Sequence, residues 1–120
     1  MLKTIEQERA KFAFTKIQDV KNKNNKEYKS LSRGFASMIL QNGLGQSLAF
    51  LKAKGKDHHL MLYEHINEWC KVKFKISDIL ESILNSDSSR YRLYTKEVLS
   101  LLIWIRKFAE AELEDLETKA

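Results

Sequence analysis

The sequence has no proline, only four glycines, one cysteine and three histidines in 120 residues. With proline absent, few positions remain for turning a corner, and two of the glycines, Gly43 and Gly45, sit one residue apart. The single Cys70 excludes an internal disulfide and fits a reducing cytoplasm. The longest strongly apolar stretch runs only from Val98 to Ile105, far short of the roughly 20 residues that span a bilayer. The first residues, MLKTIEQERAKFAF, contain acidic side chains and no apolar core segment, so they do not read as a secretory signal. An apolar content of 43% and a charged content of 31% exclude a disordered chain. The length suits a single helical domain over residues 1–120, with one real core.

What is present is charge, unevenly placed. Residues 1–56 carry twelve Lys/Arg against four Asp/Glu, a sum of +8, and residues 57–120 carry nine against twelve, a sum of −3. The division predicts a basic surface for a polyanion such as nucleic acid and a neutral-to-acidic remainder for protein contacts. The plainer reading is that the lysines only solubilise the protein.

Helical periodicity dominates, and no stretch alternates apolar and polar residues as a strand would. Thr4-Ile5-Glu6-Gln7 has the form of a capping box. A first helix follows, with Ile5, Phe12, Ala13, Ile17 and Val20 on one face, and the polar run 21–26 reads as a loop. A second helix is predicted from about Glu27 to Gln41, with an apolar stripe of Tyr28, Leu31, Phe35, Met38 and Ile39. A third spans Ser47 to Lys54 and ends at Gly55; a fourth, capped by Asp57, runs to about Lys71 and buries Leu62, Tyr63, Ile66 and Trp69. Ser77 starts a short fifth helix, and the polar run 85–89 caps a long final helix to about Thr118. Between Val98 and Ile105 that helix is apolar almost all round, which makes it the central buried element. The predicted fold is all-α, a compact bundle of about five to seven helices.

The glycine pair tests the nucleotide readings. A P-loop needs G-x-x-x-x-G-K-[ST] after a strand; here the spacing is wrong and no lysine lies at the turn. A dinucleotide fingerprint needs a third glycine that is missing. The better reading is a helix corner at Asn42, Gly43, Gly45 and Gln46. Gly43 takes a left-handed conformation, Leu44 packs back in a Schellman-type contact, and Gly45 lets the next helix start close to its neighbour. Exposed amides at the start of the third helix remain candidates for touching a backbone phosphate.

The other reactive residues do not assemble. His58 and His65 lie about 10 Å apart along a helix, too far for one metal, and no H-E-x-x-H or cysteine pair occurs. No metal or cofactor is expected, and the histidines read as surface or partly satisfied core residues. Cys70 has its nearest histidine, His65, on another side of the helix and reads as a buried thiol. Glu64 and Glu68, and the acidic run Glu110 to Glu117, read as solvated charge or a contact for a basic partner. Trp104 and Phe108 share a face that reads as core. Tyr91 and Tyr94 beside Arg90 and Arg92 form a surface cluster of rings and charges. No catalytic constellation emerges.

Three segments carry a resemblance that spans residues 5–113: QNGLGQSLAFLKAKGKDH, LYEHINEW, and DSSRYRLYTKEVLSLLIWIRKFAEAEL. The block Asn42 to Leu51, and the series Tyr91, Arg92, Thr95, Glu97, Trp104, Ile105, Arg106, Lys107, Phe108 and Ala109, are its most specific parts. Together they resemble the small subunit of the Cmr (type III-B) CRISPR RNA-silencing complex. Ser47 replaces a more usual threonine, and Tyr94 stands where a small residue is typical.

The resemblance implies an all-helical, non-catalytic cytoplasmic protein in antiviral defence, with no membrane contact. Its implied partners are the other Cmr subunits, chiefly the backbone subunit, copies of itself stacked as a filament, and the guide and target RNA. From the charge split, Arg9, Lys16, Lys29 and Arg33, with Lys52, Lys54 and Lys56 beyond the corner, are the expected phosphate contacts. The corner would join the Lys29–Arg33 face to the Lys52–Lys56 face. Alternatives are a helical adaptor or scaffold without RNA contact, the small subunit of the related type III-A complex, or an undetected hydrolase.

Overall fold

Six helices account for most of the chain in the computed structural model, which describes residues 3–23 and 25–115. Among the described residues there is no strand. α1 spans Ile5–Asn22 and begins with the predicted capping box. The Thr4 Oγ1 accepts from the Gln7 amide at 3.1 Å, while the Gln7 side chain accepts from the Thr4 amide at 2.9 Å. The polar run after it is shorter than predicted, because Lys21 and Asn22 still belong to the helix. α2, Glu27–Asn42, buries Tyr28, Phe35 and Ile39 and leaves Leu31 and Met38 half-buried.

α3 spans Leu44–Lys54 and starts three residues before the predicted Ser47. Gly43 turns the corner in a single residue, with φ 88° and ψ 158°, so Leu44 is already helical. The φ is positive, as predicted, but the extended ψ is not left-handed and no Schellman motif forms. Instead the Gly43 amide continues the α2 ladder to the Ile39 carbonyl at 2.8 Å, and the Ser47 hydroxyl donates to the Gly43 carbonyl at 2.8 Å. Gly55 ends α3 in the left-handed conformation, its amide donating to Leu51 at 3.2 Å.

α4 spans Asp57–Phe74. Its cap is Lys56 and not Asp57, which lies in the first turn, where a carboxylate complements the positive end of the helix dipole. It outlasts the predicted end at Lys71 by three residues and stops where Lys75 adopts φ 55°. α5, Ile79–Leu84, is capped by Asp78, one residue after the predicted Ser77; its carboxylate accepts from the Glu81 amide at 3.1 Å. α6, Ser88–Glu112, is capped by Asp87, which accepts from the Arg90 amide at 2.8 Å. It ends at Glu112, with Leu113 extended, short of the predicted end at Thr118, which itself falls outside the described residues.

α6 organises the bundle, packing along α1 and also touching α2, α4 and α5, while α3 rests on α4 and α2. Its apolar segment is only partly enclosed, contrary to expectation. Val98, Leu101, Leu102 and Ile105 are buried, but Ile103 is 57% exposed. The hydrophobic run is continuous in sequence, but neighbouring helices cover only part of its circumference. The core draws on the helices together: Tyr28, Phe35, Leu44, Leu48, Leu62, Ile66, Ile79, Leu101 and Ile105 form one cluster. Each such side chain contributes about 1.5–3 kcal/mol of apolar transfer.

Candidate nucleic-acid interface

The expected phosphate contacts fall into two groups. The first is engaged inside the molecule. Arg9 makes a bidentate pair with Glu97 on α6, Nε donating at 2.7 Å and Nη2 at 2.8 Å, and its Nη1 reaches Glu6 at 2.5 Å. Trp69 Nε1 donates to the same Glu97 at 2.9 Å. The Arg9 hydrogen bonds hold Glu97 below the usual carboxylate range, against the opposing effect of desolvation and with help from Trp69. Lys29 is only 7% exposed; its Nζ donates to the Leu113 carbonyl at 2.9 Å and lies 3.2 Å from Asp115. Arg33 bridges Glu110 at 2.5 Å and Asp115 at 2.7 Å. Lys16 pairs with Glu68 at 2.7 Å.

These pairs join α1 and α2 to α4, to the N-terminal half of α6 at Glu97, and to the C-terminal end of α6 and the residues just after it. They also neutralise the acidic run expected to face solvent, since Glu114 pairs with Lys26 at 3.2 Å. Glu117, the end of that run, is outside the described residues.

The second group is Lys52, Lys54 and Lys56, around the α3–α4 corner. All three are exposed, and among the described residues none has a carboxylate within salt-bridge distance. Lys52 Nζ lies 5.0 Å over the Tyr63 ring and Lys54 Nζ 5.8 Å over Phe50, so their stems are supported while their charges stay wet. His58 and His59 follow at once. The His58 Nδ1 is 3.1 Å from Glu27, and His59 is buried against Phe50 and His58. Desolvation, then the charges of His58, Lys54 and Lys56, lower the pKa of His59.

Arg9, Lys16, Lys29 and Arg33 are thus held by partners within the molecule, whereas Lys52, Lys54 and Lys56 have no carboxylate partner among the described residues. The corner itself has another role. The Gly45 amide donates to the Tyr91 hydroxyl at 2.9 Å, linking the start of α3 to the start of α6. A Cβ on Gly43 would sit 3.2 Å from that hydroxyl, and one on Gly45 would sit 3.5 Å from it and 3.6 Å from Ile83. The Gly45 amide is therefore occupied and not open to a phosphate. Asn42 closes α2, and Gln46 is exposed on the first turn of α3. The two most family-specific blocks of the sequence meet at this hydrogen bond.

A further basic cluster escaped the charge sums. Lys71, Lys73 and Lys75 end α4, exposed, inside the half with negative net charge. Arg90 stacks at 5.5 Å over Phe74 and 5.2 Å over Tyr94, which brings the start of α6 to these lysines. The K-x-K-x-K spacing was the available signal. Tyr94, expected at the surface, is buried against Phe74 at 4.8 Å, so its ring packs and only Arg90 lies outside it.

The remaining candidates are structural. Cys70 is buried, and desolvation pushes its thiol up to about 12. His65 is buried, with its Nδ1 2.7 Å from the Tyr28 hydroxyl; burial pushes its pKa down to about 4, so it is neutral at pH 7. Among the described residues, no group of three or more His, Cys, Asp or Glu is placed to hold a metal, and no helix is long and apolar enough to cross a membrane.

The fold and these surfaces define a class first: an all-α bundle with one core, whose salient chemistry is surface charge. The model of a CRISPR-associated protein family (Cas_Cmr5) matches residues 5–112. A Cmr subunit Cmr5 of a CRISPR system from Thermus thermophilus is 26% identical over 115 residues, covering 95% of this chain and 100% of the relative. Its namesake from Thermotoga maritima is 29% identical over 122 residues, covering 98% and 92%. A crystal structure of a Cmr5 family protein, also from Thermus thermophilus, superposes with a TM-score of 0.81 at 26% identity, over 94% of this chain and 100% of the other. The chain belongs to the Cmr5 family, the small subunits of the Cmr (type III-B) CRISPR complex.

Proposed function

We propose that this Cmr small subunit is non-catalytic and cytoplasmic, stacks with its own copies along the backbone subunits, and contacts the phosphates of guide or target RNA at the α3–α4 corner. The observation that carries the RNA reading is the contrast just described. Lys52, Lys54 and Lys56 are exposed without carboxylate partners among the described residues, whereas Arg9, Lys16, Lys29 and Arg33 sit in ion pairs. Such lysines neutralise phosphates as point charges and read no base. Arg9, Lys16, Lys29 and Arg33 remain candidates only through rearrangement of those pairs on assembly.

The test is filter binding of target RNA by the assembled complex across a salt series. Each single-strand phosphate neutralised adds about 0.7 to the slope of log affinity against log salt. Lys52→Ala, Lys54→Ala and Lys56→Ala together should lower that slope by about 2 per engaged subunit. An unchanged slope would favour the adaptor reading, in which the lysines only solubilise. Crosslinking of bound RNA, mapped to residues 52–56, tests the same surface directly.

A further inference from the structure

α1 and α6 lie side by side and run the same way: Glu6 accepts from Trp104, Phe14 meets the Phe108 ring at 5.3 Å, and Gln18 donates to Glu112. Along the outer seam of this pair, aromatic rings stay partly outside the core. Phe14 is 43% exposed; Phe108 stands edge-on to it, and Trp104 stacks on Phe108 at 5.7 Å, both of these rings half-buried. Trp104 and Phe108, read from the sequence as core, are thus its half-open edge. Ile103, next to Trp104 in the chain, is 57% exposed. Single apolar residues scattered on a surface are ordinary, but aromatics in mutual contact are the composition of a protein interface.

The charges beside the seam are unbalanced. On α6, Lys107 lies one turn from both Ile103 and Trp104, Arg106 one turn from Ile103, and Lys96 two turns before it. All three cations are exposed, and none has a carboxylate within salt-bridge distance among the described residues. The carboxylates of Glu6, Glu110 and Glu112, which border the seam, are already engaged. Glu6 is held by Arg9 and Trp104, Glu110 by Arg33, and Glu112 by Gln18 and Lys21. The unmatched charge on this side of α6 is therefore positive.

A nucleic acid would match the cations but not the seam. Ile103 offers no ring to a base, and Trp104 and Phe108 are half-buried against each other. A second copy brings the same net charge of +5, and the exposed Val72 on its α4 is flanked by Lys71 and Lys73, so like charges would meet. A surface apolar along its middle and positive along one edge fits an amphipathic segment that carries carboxylates, and two parallel helices leave a groove for a third. We infer that the α1–α6 seam docks an amphipathic, acidic helix of another subunit of the complex. Its apolar side rests on Phe14, Trp104, Phe108 and Ile103, and its carboxylates meet Lys96, Arg106 and Lys107. This docking goes beyond stacking and RNA contact, and holds whether or not the lysines of the α3–α4 corner bind RNA.

The test uses the complex assembled without target RNA and a zero-length carbodiimide, which joins lysine amines to carboxylates in contact with them. Lys96 and Lys107 should crosslink to aspartates or glutamates of another subunit; mixing isotope-labelled and unlabelled copies of this chain tells that subunit from a second copy. Lys96→Glu with Lys107→Glu should weaken incorporation into the complex about tenfold, and Phe14→Ser with Ile103→Ser by a similar factor. Lys96→Arg with Lys107→Arg should incorporate as the parent does. Urea unfolding of each variant chain keeps a folding defect apart from a docking defect. Crosslinks to a second copy alone, or none, would overturn the inference. So would ultraviolet crosslinks from Trp104 or Phe108 to RNA, or full incorporation of the charge-reversed variant.

Discussion

The α1–α2 layer and the α3–α4 corner use the same side chains for opposite ends. Arg9, Lys29 and Arg33 are held by Glu97, Leu113, Glu110 and Asp115, and join α1 and α2 to α6. Lys52, Lys54 and Lys56 lie on aromatic rings or in water. A segment sum of +8 over residues 1–56 counts both alike. Charge becomes a binding surface only where the fold supplies no counter-charge.

The comparison can be broken most forcefully at Glu97. Glu97→Ala leaves the mostly buried Arg9 with only its exposed Glu6 contact and strands the Trp69 N–H, and should cost about 3–5 kcal/mol in urea unfolding; a loss below about 1 kcal/mol would make Arg9 as free as the corner lysines.

Acid offers the next lever, through His65, whose pKa burial pushes down from 6.5 to about 4 among the nearby charges of Lys16, Asp19, Glu68 and Lys23. The folded state holds the ring neutral, so the unfolded chain takes up the proton first. Stability is therefore whole above pH 6.5 and falls as pH drops toward about 4, by roughly 3 kcal/mol in all. His65→Gln should flatten this part of the pH profile.

The corner glycines sharpen the contrast at smaller scale. Gly43→Ala should cost about 1–3 kcal/mol, because φ 88° is strained for any side chain and the new Cβ lies 3.2 Å from Tyr91. Gly45→Ala finds ordinary contact at 3.5 Å and gains helix propensity, so its melting midpoint should stay close to that of the parent. The smallest stability effect belongs to the triple lysine variant: below about 0.5 kcal/mol, with RNA salt dependence as the property that moves.

Local features were legible in the sequence. The Thr4–Gln7 box, the stop of α3 at Gly55 and the apolar stripe of α2 depend on residues within a few turns of one another, and pattern reading found them. Boundaries slipped where one residue settles the matter, as at Gly43, whose ψ lets α3 begin at Leu44. The Arg9–Glu97 pair is 88 residues apart in sequence, and no periodicity announces it. Ile103 was misplaced because apolarity says that a face prefers cover, not that a neighbour provides it. The Lys71–Lys75 cluster was hidden by averaging over a half-chain, though its residues stood in plain view.

The Gly45–Tyr91 hydrogen bond has a mechanical consequence. α3 has 11 residues, a rod of about 16 Å at 1.5 Å per residue. It is pinned at its first turn to α6, and Lys52 and Lys54 ride at the far end. A tilt of about 10° at the pinned end would swing those ammonium groups by about 3 Å, comparable to the axial step between phosphates on one strand of a double helix. The Tyr91 hydroxyl is thus one anchor of this rod, acting with the buried Leu48 and Leu51, so a group far from the lysines helps fix where they fall.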